Sequence, residues 1–446
     1  MKFKLTALLF LCAIGMTIAQ KKIWTLEECV TYAVENNLSI QQYELDLEMS
    51  TIDKSDAIGA FLPDLNGMLN GQSNTGLSFD PTNNQPVNTT QITSSGSVTS
   101  SVNLFNGLRN IHRLNRAKLN AIGSKYRLDD LVNDIRLNVA INYLRILSNK
   151  EATKVAKALY AVTEQDLNKT RELVESGVVA RGDLLEIEAT AATREQQIIN
   201  AENEVLISRI NLAQLLQITD YENFDISDAE FEVPAAYILK NSPRVIFDKA
   251  MTYWYETKFF ETNVDLAEKD LALAKGAAYP SLDAFINYNT RYSDQFLDPI
   301  TGQVIPFKEQ LWINDGIAFG AQISIPVFNG FSTRNNIKRS EINVKKAQLD
   351  LEQNKLELET NINQAYVDVI NSSKAYEAAL KTREARTLAL DYSKERFDVG
   401  IMNSFDYGQS QARVDNAEAE VIRTKYDYVF RIKVLEFYFG LPIVID

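Results

Sequence analysis

Two stretches of about 70 residues, 107–176 and 330–399, contain no proline and consist mostly of residues that favour helices. They restrict the possible folds of this chain more than its composition does. At about 1.5 Å per residue, each stretch would form a rod of roughly 100 Å, whereas an average globular helix has about three turns. A rod of that length cannot lie inside a compact domain, so the sequence predicts an elongated and mainly helical protein.

Apolar residues recur along both stretches in steps of three and four. The two stripes are Leu128, Leu131, Ile135, Val139, Asn142 and Ile146 in the first stretch, and Ile362, Tyr366, Val369, Ser373, Tyr376 and Leu380 in the second. Such narrow stripes are typical of coiled-coil seams. A glycine, Gly177 or Gly400, follows each stretch and can adopt the left-handed conformation that ends a helix. Return helices are then expected over about 183–217 and 406–438, which makes two long helical hairpins.

The sequence contains an internal repeat. Phe-Asn-Gly at 105–107 recurs at 328–330, at an offset of 223 (330 − 107). The same offset separates Gly177 from Gly400. It also separates Asp183 from Asp406, each of which lies six residues after its glycine. Several landmarks in one order indicate an internal duplication. We predict two structural repeats, residues 20–225 and 226–446, intertwined in one domain.

Shorter helices are expected from Thr25 to about Ala60 and from about Arg244 to Lys275, each ending before a proline. Four segments after these helices alternate with a period of two, as half-buried strands do. They lie at 65–71, 92–104, 286–292 and 317–325. We expect four strands of about ten residues, the length that a tilted strand needs to cross a bilayer.

Loops rich in turn residues, around 80–86 and 298–302, join these strands in pairs. Four strands cannot close a barrel in lipid, because each unpaired backbone group on an open edge costs several kcal/mol. Three copies would supply twelve strands, which is within the range of known barrels. Aromatic residues near the strand ends could form an interfacial belt or pack within the sheet. They are Phe285, Tyr288, Tyr292, Phe296 and Trp312.

The N-terminus predicts export. Lys2 and Lys4 precede an apolar stretch and small residues, so residues 1–19 read as a signal peptide cut before Gln20. Bulky residues before Cys12 disfavour a lipidation site. No later run of eighteen apolar residues suggests a membrane-spanning helix, so strands must cross the membrane. The net charge of −13 argues against a nucleic-acid partner.

The sequence contains few of the side chains that enzymatic chemistry usually requires. His112 is the only histidine, and Cys29 is the one cysteine left after cleavage. A metal site or a nucleophilic relay needs several such side chains. Neither a dinucleotide-binding glycine motif nor a phosphate loop occurs. We therefore expect no enzyme activity, no cofactor and no metal. Two classes of protein remain, a membrane channel and a periplasmic coiled-coil scaffold without a pore. A scaffold would have no use for the four alternating segments.

A family resemblance covers essentially the whole mature chain. It is carried by Trp24-Thr25-Leu26-Glu27-Glu28-Cys29-Val30, Glu35-Asn36-Asn37-Leu38, the two Phe-Asn-Gly segments, the turns at 175–177 and 398–400, and Phe439-Gly440-Leu441-Pro442. In their order and duplication these segments resemble the TolC-like outer-membrane efflux protein family. The resemblance implies a homotrimer with a twelve-stranded barrel in outer-membrane lipid and a helical tunnel across the periplasm. It also implies a passive exit duct of a tripartite efflux or type I secretion system, served by a periplasmic adaptor and an inner-membrane pump.

The resemblance also implies a periplasmic gate. Asp406 matches the first acid of a ring at the tunnel tip, whereas Gln409 stands where a second acid is expected. Asp183 matches an acid that links to an aromatic hydroxyl, but the matching aromatic is Phe397, which has none. Met402 replaces an arginine of a neighbouring link. The gate is therefore expected to be held differently, or more weakly.

The tip turns, Gly177-Val178 and Gly400-Ile401, match the places where the family meets its adaptor. Three acids around a threefold axis would repel each other and favour cations. Asp406 could equally serve as the N-cap of its helix, and for Asp183 capping is the favoured interpretation.

Overall fold

A computed structural model gives the fold for residues 22–79, 86–228, 233 and 236–441. The predicted signal peptide, most of the first predicted loop and the last five residues lie outside these described ranges. The described residues form two compact units. The first draws on 1–44, 126–258 and 353–446, and the second on 45–125 and 259–352.

The elements follow each other in two similar series. The first series is β1 (Ile23–Trp24), α1 (Leu26–Asn36), α2 (Leu38–Gly59), β2 (Asn66–Phe79), β3 (Pro86–Phe105), α3 (Arg109–Glu175) and α4 (Arg181–Leu215). The second is β4 (Asp225–Ile226), a 3-10 turn (Tyr237–Lys240), α5 (Pro243–Ala250), α6 (Tyr255–Gly276), β5 (Ser281–Ser293), α7 (Phe307–Ile313), β6 (Gly316–Ser324), α8 (Ser332–Asp398) and α9 (Ser404–Tyr438).

The predicted long helices are confirmed. Helices α3 and α8 have 67 residues each, and the return helices α4 and α9 have 35 each. Both pairs begin at the same offset of 223 (332 − 109 and 404 − 181). Within the described residues, no helix has both the length and the apolar character needed to span a bilayer.

The first unit contains two apolar cores along the predicted stripes. Val139 and Ile146 of α3 are fully buried with Leu212 of α4 and with residues of α1 and α9. Ile362 and Val369 of α8 are fully buried in a second core with α5 and α9. The short parallel pair β1–β4 lies beside the first core and joins the N-terminal strand to the segment after α4.

The prediction of one helix over about 25–60 is wrong, because the chain breaks at Asn37. Thr25 begins α1 with a reciprocal capping box to Glu28. The Asn37 side chain accepts hydrogen bonds from the Ser39 amide (2.9 Å) and the Ile40 amide (3.4 Å). Its Nδ2 donates to the Leu215 carbonyl (3.4 Å). Asn37 therefore starts a second helix and contacts the end of α4.

The helix predicted over about 244–275 is also two helices, α5 and α6. The break at 251–254 lets aromatic side chains turn toward the end of α9. Tyr253 donates its hydroxyl proton to the Tyr438 carbonyl (2.7 Å), and the Trp254 ring stacks on the Tyr438 ring at 5.0 Å. The tertiary contacts of these aromatics therefore override the local helix propensity.

The second unit contains an antiparallel sheet in the order β2-β3-β5-β6. All four predicted strands are present, but β2 and β3 have 14 and 20 residues and are longer than expected. Two adjacent rows across the sheet are Gly67, Val98, Tyr288 and Ile317, and then Asn66, Thr99, Asn287 and Ala318. Successive rows point to opposite sides. One side is therefore the apolar face and the other the polar face.

The two faces differ most in the rows where all four strands are paired. The apolar face carries Leu69, Ile286, Phe319 and Ile323, and the side chains of Leu69 and Phe319 are 91% and 83% exposed. The polar face carries mainly Asn, Gln, Ser, Thr and Arg side chains. Phe285 lies on the polar face, opposite Gly320. The hypothesis of one aromatic belt is therefore wrong for Phe285, since Tyr288 and Tyr292 lie on the other side.

Helix α7 was not predicted, and it covers the end of β5 where β6 is absent. The Gln310 side chain is fully buried; it accepts from the Ser293 amide (2.9 Å) and donates to the Ser293 carbonyl (2.8 Å). Asn314 donates to the Arg291 carbonyl (3.0 Å). Before α7, Asp298 forms the predicted turn at 298–302. Side chains of α7 and of Asn314, which follows it, thus satisfy a sheet edge that would otherwise be open.

Candidate functional site

The tips of the two helical hairpins lie in the first unit and contain every predicted site residue. Gly177 and Gly400 have φ of +76° and +74°, so both rods end as predicted in the left-handed conformation. The amide of the next residue donates to a carbonyl five residues earlier, at 2.9 Å for Val178 and 2.8 Å for Ile401. Val178 and Ile401 are 70% and 71% exposed. Each tip therefore presents apolar side chains to its surroundings, and at the second tip Val399, 69% exposed, lies beside Ile401.

Asp183 joins the two return helices. The N-cap of α4 is Ala180, which makes no side-chain capping bond. The Asp183 carboxylate instead accepts hydrogen bonds from the Ser404 hydroxyl and, at 3.4 Å, from the Ser404 amide. Ser404 is the first residue of α9, so its amide has no partner within its own helix. The interpretation of Asp183 as the cap of its own helix is wrong, because its carboxylate satisfies the start of α9.

Asp406 lies in the first turn of α9 but is not the N-cap. Asn403 holds that position, and its Oδ1 accepts from the Asp406 amide at 2.8 Å. Asn403 Nδ2 donates to the Asp406 carboxylate at 3.0 Å. The N-cap interpretation of Asp406 is thus wrong by three residues. Its exposed carboxylate stands at the positive end of α9, where a negative charge is favourable.

An aromatic hydroxyl links the hairpins at a different position from the one predicted. The Phe397 ring stacks on the Tyr407 ring at 4.7 Å with 6° between the planes. The Tyr407 hydroxyl donates to the Asp166 carboxylate at 2.8 Å, and Gln411 donates to the same oxygen at 3.0 Å. Burial and the nearby Asp166 charge raise the pKa of Tyr407, which keeps the hydroxyl protonated and able to donate. Phe397 therefore supports the link without forming it.

The remaining predicted positions lie at the edge of this cluster. Gln409 is exposed on the first turns of α9, and Met402 is half-buried in the turn before it. Nearby, Lys169 Nζ lies 2.7 Å from the Asp398 carboxylate, with both side chains largely exposed. Exposed ion pairs contribute little, about 0–1 kcal/mol. The Asp166 and Asp183 contacts are therefore the stronger connections at the tip.

A buried ion pair joins the return helices further along. Arg194 of α4 is 4% exposed; its Nη2 lies 2.9 Å from the Asp415 carboxylate of α9, and its Nη1 donates to the Leu159 carbonyl. Burial raises the pKa of Asp415, and Arg194 partly offsets that effect. Removing one partner of a buried pair leaves an uncompensated charge, which typically costs about 3–5 kcal/mol. This pair therefore fixes α4 against α9.

Sequence reasoning missed Asp166, Tyr407, Ser404 and Arg194. A local signal existed only for the cap, because Asn403 three residues before Asp406 fits an N-terminal capping pattern. The other partners lie about 220–245 positions apart along the chain. No spacing within one helix could have paired them.

Solved structures of membrane proteins, outer-membrane channels among them, have a similar fold. The crystal structure of a membrane protein from Pseudomonas aeruginosa matches with a TM-score of 0.78 and 14% identity, covering 93% of this chain and 90% of that one. The outer membrane protein VceC from Vibrio cholerae matches with a TM-score of 0.75 and 13% identity, covering 93% and 96%. The open state of the Neisseria gonorrhoeae MtrE outer membrane channel matches with a TM-score of 0.75 and 17% identity, covering 94% and 90%. The fold is thus that of outer-membrane channels.

The family is shown by sequence. The model of the outer membrane efflux protein family matches residues 30–216 and 260–440, and the chain belongs to this family. The outer membrane protein TolC of Vibrio cholerae is 22% identical over 302 residues, which span 66% of this chain and 65% of that protein. The chain is an outer-membrane protein whose helical part lies in the periplasm.

Proposed function

We propose that this protein is the passive exit duct of a tripartite efflux or type I secretion system. Three copies would form a homotrimer with a twelve-stranded barrel, through which substrates leave the cell. The observation that carries this proposal is the sheet, which has one apolar and one polar face and ends on strands β2 and β6. A scaffold without a pore gives no reason for such a sheet.

The two faces fit a barrel wall. The apolar face would contact outer-membrane lipid, and the polar face would line a water-filled interior. Open strand edges are too costly in hydrocarbon, so further copies must pair with β2 and β6. Twelve strands leave an interior wider than side chains alone can fill, because barrel diameter grows with strand number. Three copies therefore give a duct and not a packed core.

The helical hairpins would form the tunnel across the periplasm. Val178 and Ile401, presented by the turns at Gly177 and Gly400, would be the contacts for a periplasmic adaptor. The adaptor would join the duct to an inner-membrane pump, which supplies the energy. Support for this division of labour comes from the sequence, which has no phosphate-binding loop.

We also assign the tip cluster to the closed gate. Links from α4 and α3 to α9, through Asp183 and Asp166, hold the two hairpins together, and the gate would open when these links separate. Asp406 is exposed near the same tip, where three copies would bring three carboxylates to the axis. The predicted repeats, 20–225 and 226–446, would alternate around this axis. The equal lengths of their long helices support that arrangement.

Conductance across a planar lipid bilayer tests the proposal. The purified protein should elute as a trimer in detergent and produce discrete, cation-preferring current steps. The Asp406→Asn variant should keep the steps with a lower cation preference, because the ring of negative charge is lost. A monomer that produces no current would refute the duct. Unchanged selectivity of Asp406→Asn would refute only the ring.

A further inference from the structure

The polar face of the sheet contains a cavity of about 470 Å³ beyond the first residue of β6. Strand β6 begins at Gly316, opposite Asn289, whereas β5 continues to Ser293 without that neighbour. Two further rows of the polar face form the floor of the cavity. They are Asn70, Ser95 and Arg291, and then Gln72, Thr93 and Ser293. Ligand pockets commonly measure about 300–1,000 Å³, so a small molecule fits this cavity.

Helix α7 and Asn314, which follows it, form one wall of the cavity. The Gln310 side chain of α7 is fully buried and bonded to both backbone groups of Ser293, at 2.9 and 2.8 Å. Asn314 donates to the Arg291 carbonyl at 3.0 Å. The wall is therefore fixed to the floor. A pocket whose side chains are already in place loses little conformational freedom when a ligand binds.

Arg291 gives the cavity a positive charge. Among the described lining residues it is the one that carries a charge, and within the described residues its guanidinium has no ion-pair partner. The nearest acids along the chain have other roles, since Asp294 accepts from the Ile92 amide (2.8 Å) and Asp298 forms the turn at 298–302. In a chain with 59 acidic and 46 basic residues, such an arginine is conspicuous. The cavity therefore complements an anion.

The other lining groups are neutral and can both donate and accept hydrogen bonds. The Asn70 and Gln72 amides and the Thr93 hydroxyl make no side-chain hydrogen bond in the part of the chain that the structure describes. Amides and hydroxyls match ligand hydroxyl groups, which also donate and accept. The Phe296 ring, 38% exposed, adds an apolar surface against which a saturated ring can pack. Hydroxyl recognition therefore accompanies the positive charge.

We propose that this cavity binds a hydroxylated carboxylate, a sugar acid, in the wall of the duct. The Arg291 guanidinium binds the carboxylate through two parallel N–H···O bonds. Asn70, Gln72 and Thr93 bind the ligand hydroxyls. One guanidinium balances one carboxylate, whereas a phosphate carries about two negative charges at neutral pH. This inference rests on the proposed duct, because it names a substrate class for the polar face that lines the interior.

Calorimetric titration of the full-length protein in detergent tests the binding, with glucuronate as the probe. Glucuronate should bind saturably. Glucose has the ring and hydroxyls without the carboxylate, and acetate has the carboxylate without the hydroxyls. Each should bind at least about tenfold more weakly, because each lacks one set of hydrogen bonds. Equal affinity for acetate and glucuronate would overturn the assignment of a sugar acid.

Two charge-removing variants locate the site. Arg291→Gln should raise the dissociation constant for glucuronate about tenfold to a hundredfold, because charge-assisted hydrogen bonds are lost. The guanidinium has no ion-pair partner to lose within the described residues, so the variant should fold and assemble normally. Lys308→Gln removes the same charge from an exposed position of α7 outside the cavity, and it should leave the dissociation constant unchanged. Equal effects of the two variants would overturn the site.

Current recordings separate this inference from the proposed function. In planar bilayers, glucuronate should interrupt the current of the wild type and of Lys308→Gln, and it should interrupt that of Arg291→Gln much less. Current steps that glucuronate does not interrupt, in a protein that does not bind it in detergent, overturn the inference and leave the duct intact. Saturable, Arg291-dependent binding by a protein that conducts no current refutes the duct and keeps the site.

Discussion

At the scale of single residues, the tip depends on Tyr407 more than on the predicted Phe397. We expect Tyr407→Phe to loosen the closed gate, because it removes the hydrogen bond to Asp166 and keeps the stack on Phe397. A hydrogen bond to a charged group contributes about 1.5–3 kcal/mol. Planar-bilayer recordings should show longer or larger openings. Tyr392→Phe, at an exposed position on α8, is the control and should behave like the wild type.

The stability of the folded protein should depend on pH through the carboxyl group of Asp130 in α3. Burial, together with the charges of Asp134 and Glu256, raises the pKa of Asp130 from 3.8 to about 7. A raised carboxyl pKa means that the folded state binds the proton more tightly than the unfolded state. The stabilisation by the proton is therefore present at low pH and lost as pH rises from about 4 to 7.

We expect Asp130→Asn to remove that loss, since the amide does not ionise. Its melting temperature relative to the wild type should increase as pH rises from about 4 to 7. Thermal unfolding followed by circular dichroism across this range measures the difference. Parallel curves for the two proteins would contradict the burial of a protonated Asp130.

At the scale of secondary structure, alanine substitutions at glycines with similar backbone angles should differ in how much they lower the stability. Gly107 and Gly177 have φ of +70° and +76°, so alanine at either position costs backbone strain of about 1–2 kcal/mol. Only at Gly107 would the added methyl collide with backbone, 2.2 Å from the Gly276 oxygen. Gly107→Ala should therefore lower the melting temperature much more than Gly177→Ala. Equal decreases in melting temperature for the two variants would show that backbone strain alone determines the effect.

The sequence predicted elements where local chemistry determines them. The long helices end at Gly177 and Gly400 because the left-handed cap needs only the residues around the turn. The break at Asn37 could not be predicted, since its side chain contacts Leu215, 178 positions away. The contacts at the tip could not be predicted for the same reason. Ser404 reaches Asp183 across 221 positions, and a helix pattern has no information about such partners.

At the scale of the whole molecule, the difference between the faces of the sheet should decide whether the protein inserts in a membrane. Val98 and Ser97 are neighbours on β3 but lie on the apolar and polar faces. Arginine at Val98 must enter hydrocarbon, at a cost of about 2–4 kcal/mol near the middle of the bilayer, repeated in each copy. Arginine at Ser97 remains in water and adds positive charge to the channel wall.

We therefore expect Val98→Arg to reduce the amount of folded trimer in outer-membrane fractions, measured by its migration on gels before and after heating. Ser97→Arg should assemble normally, with a lower cation preference in planar bilayers, because positive charge in the wall repels cations. The two variants differ by one position and carry the same new side chain, so general effects of arginine cancel. If Ser97→Arg blocks assembly and Val98→Arg does not, the faces are reversed and the polar residues do not line the duct.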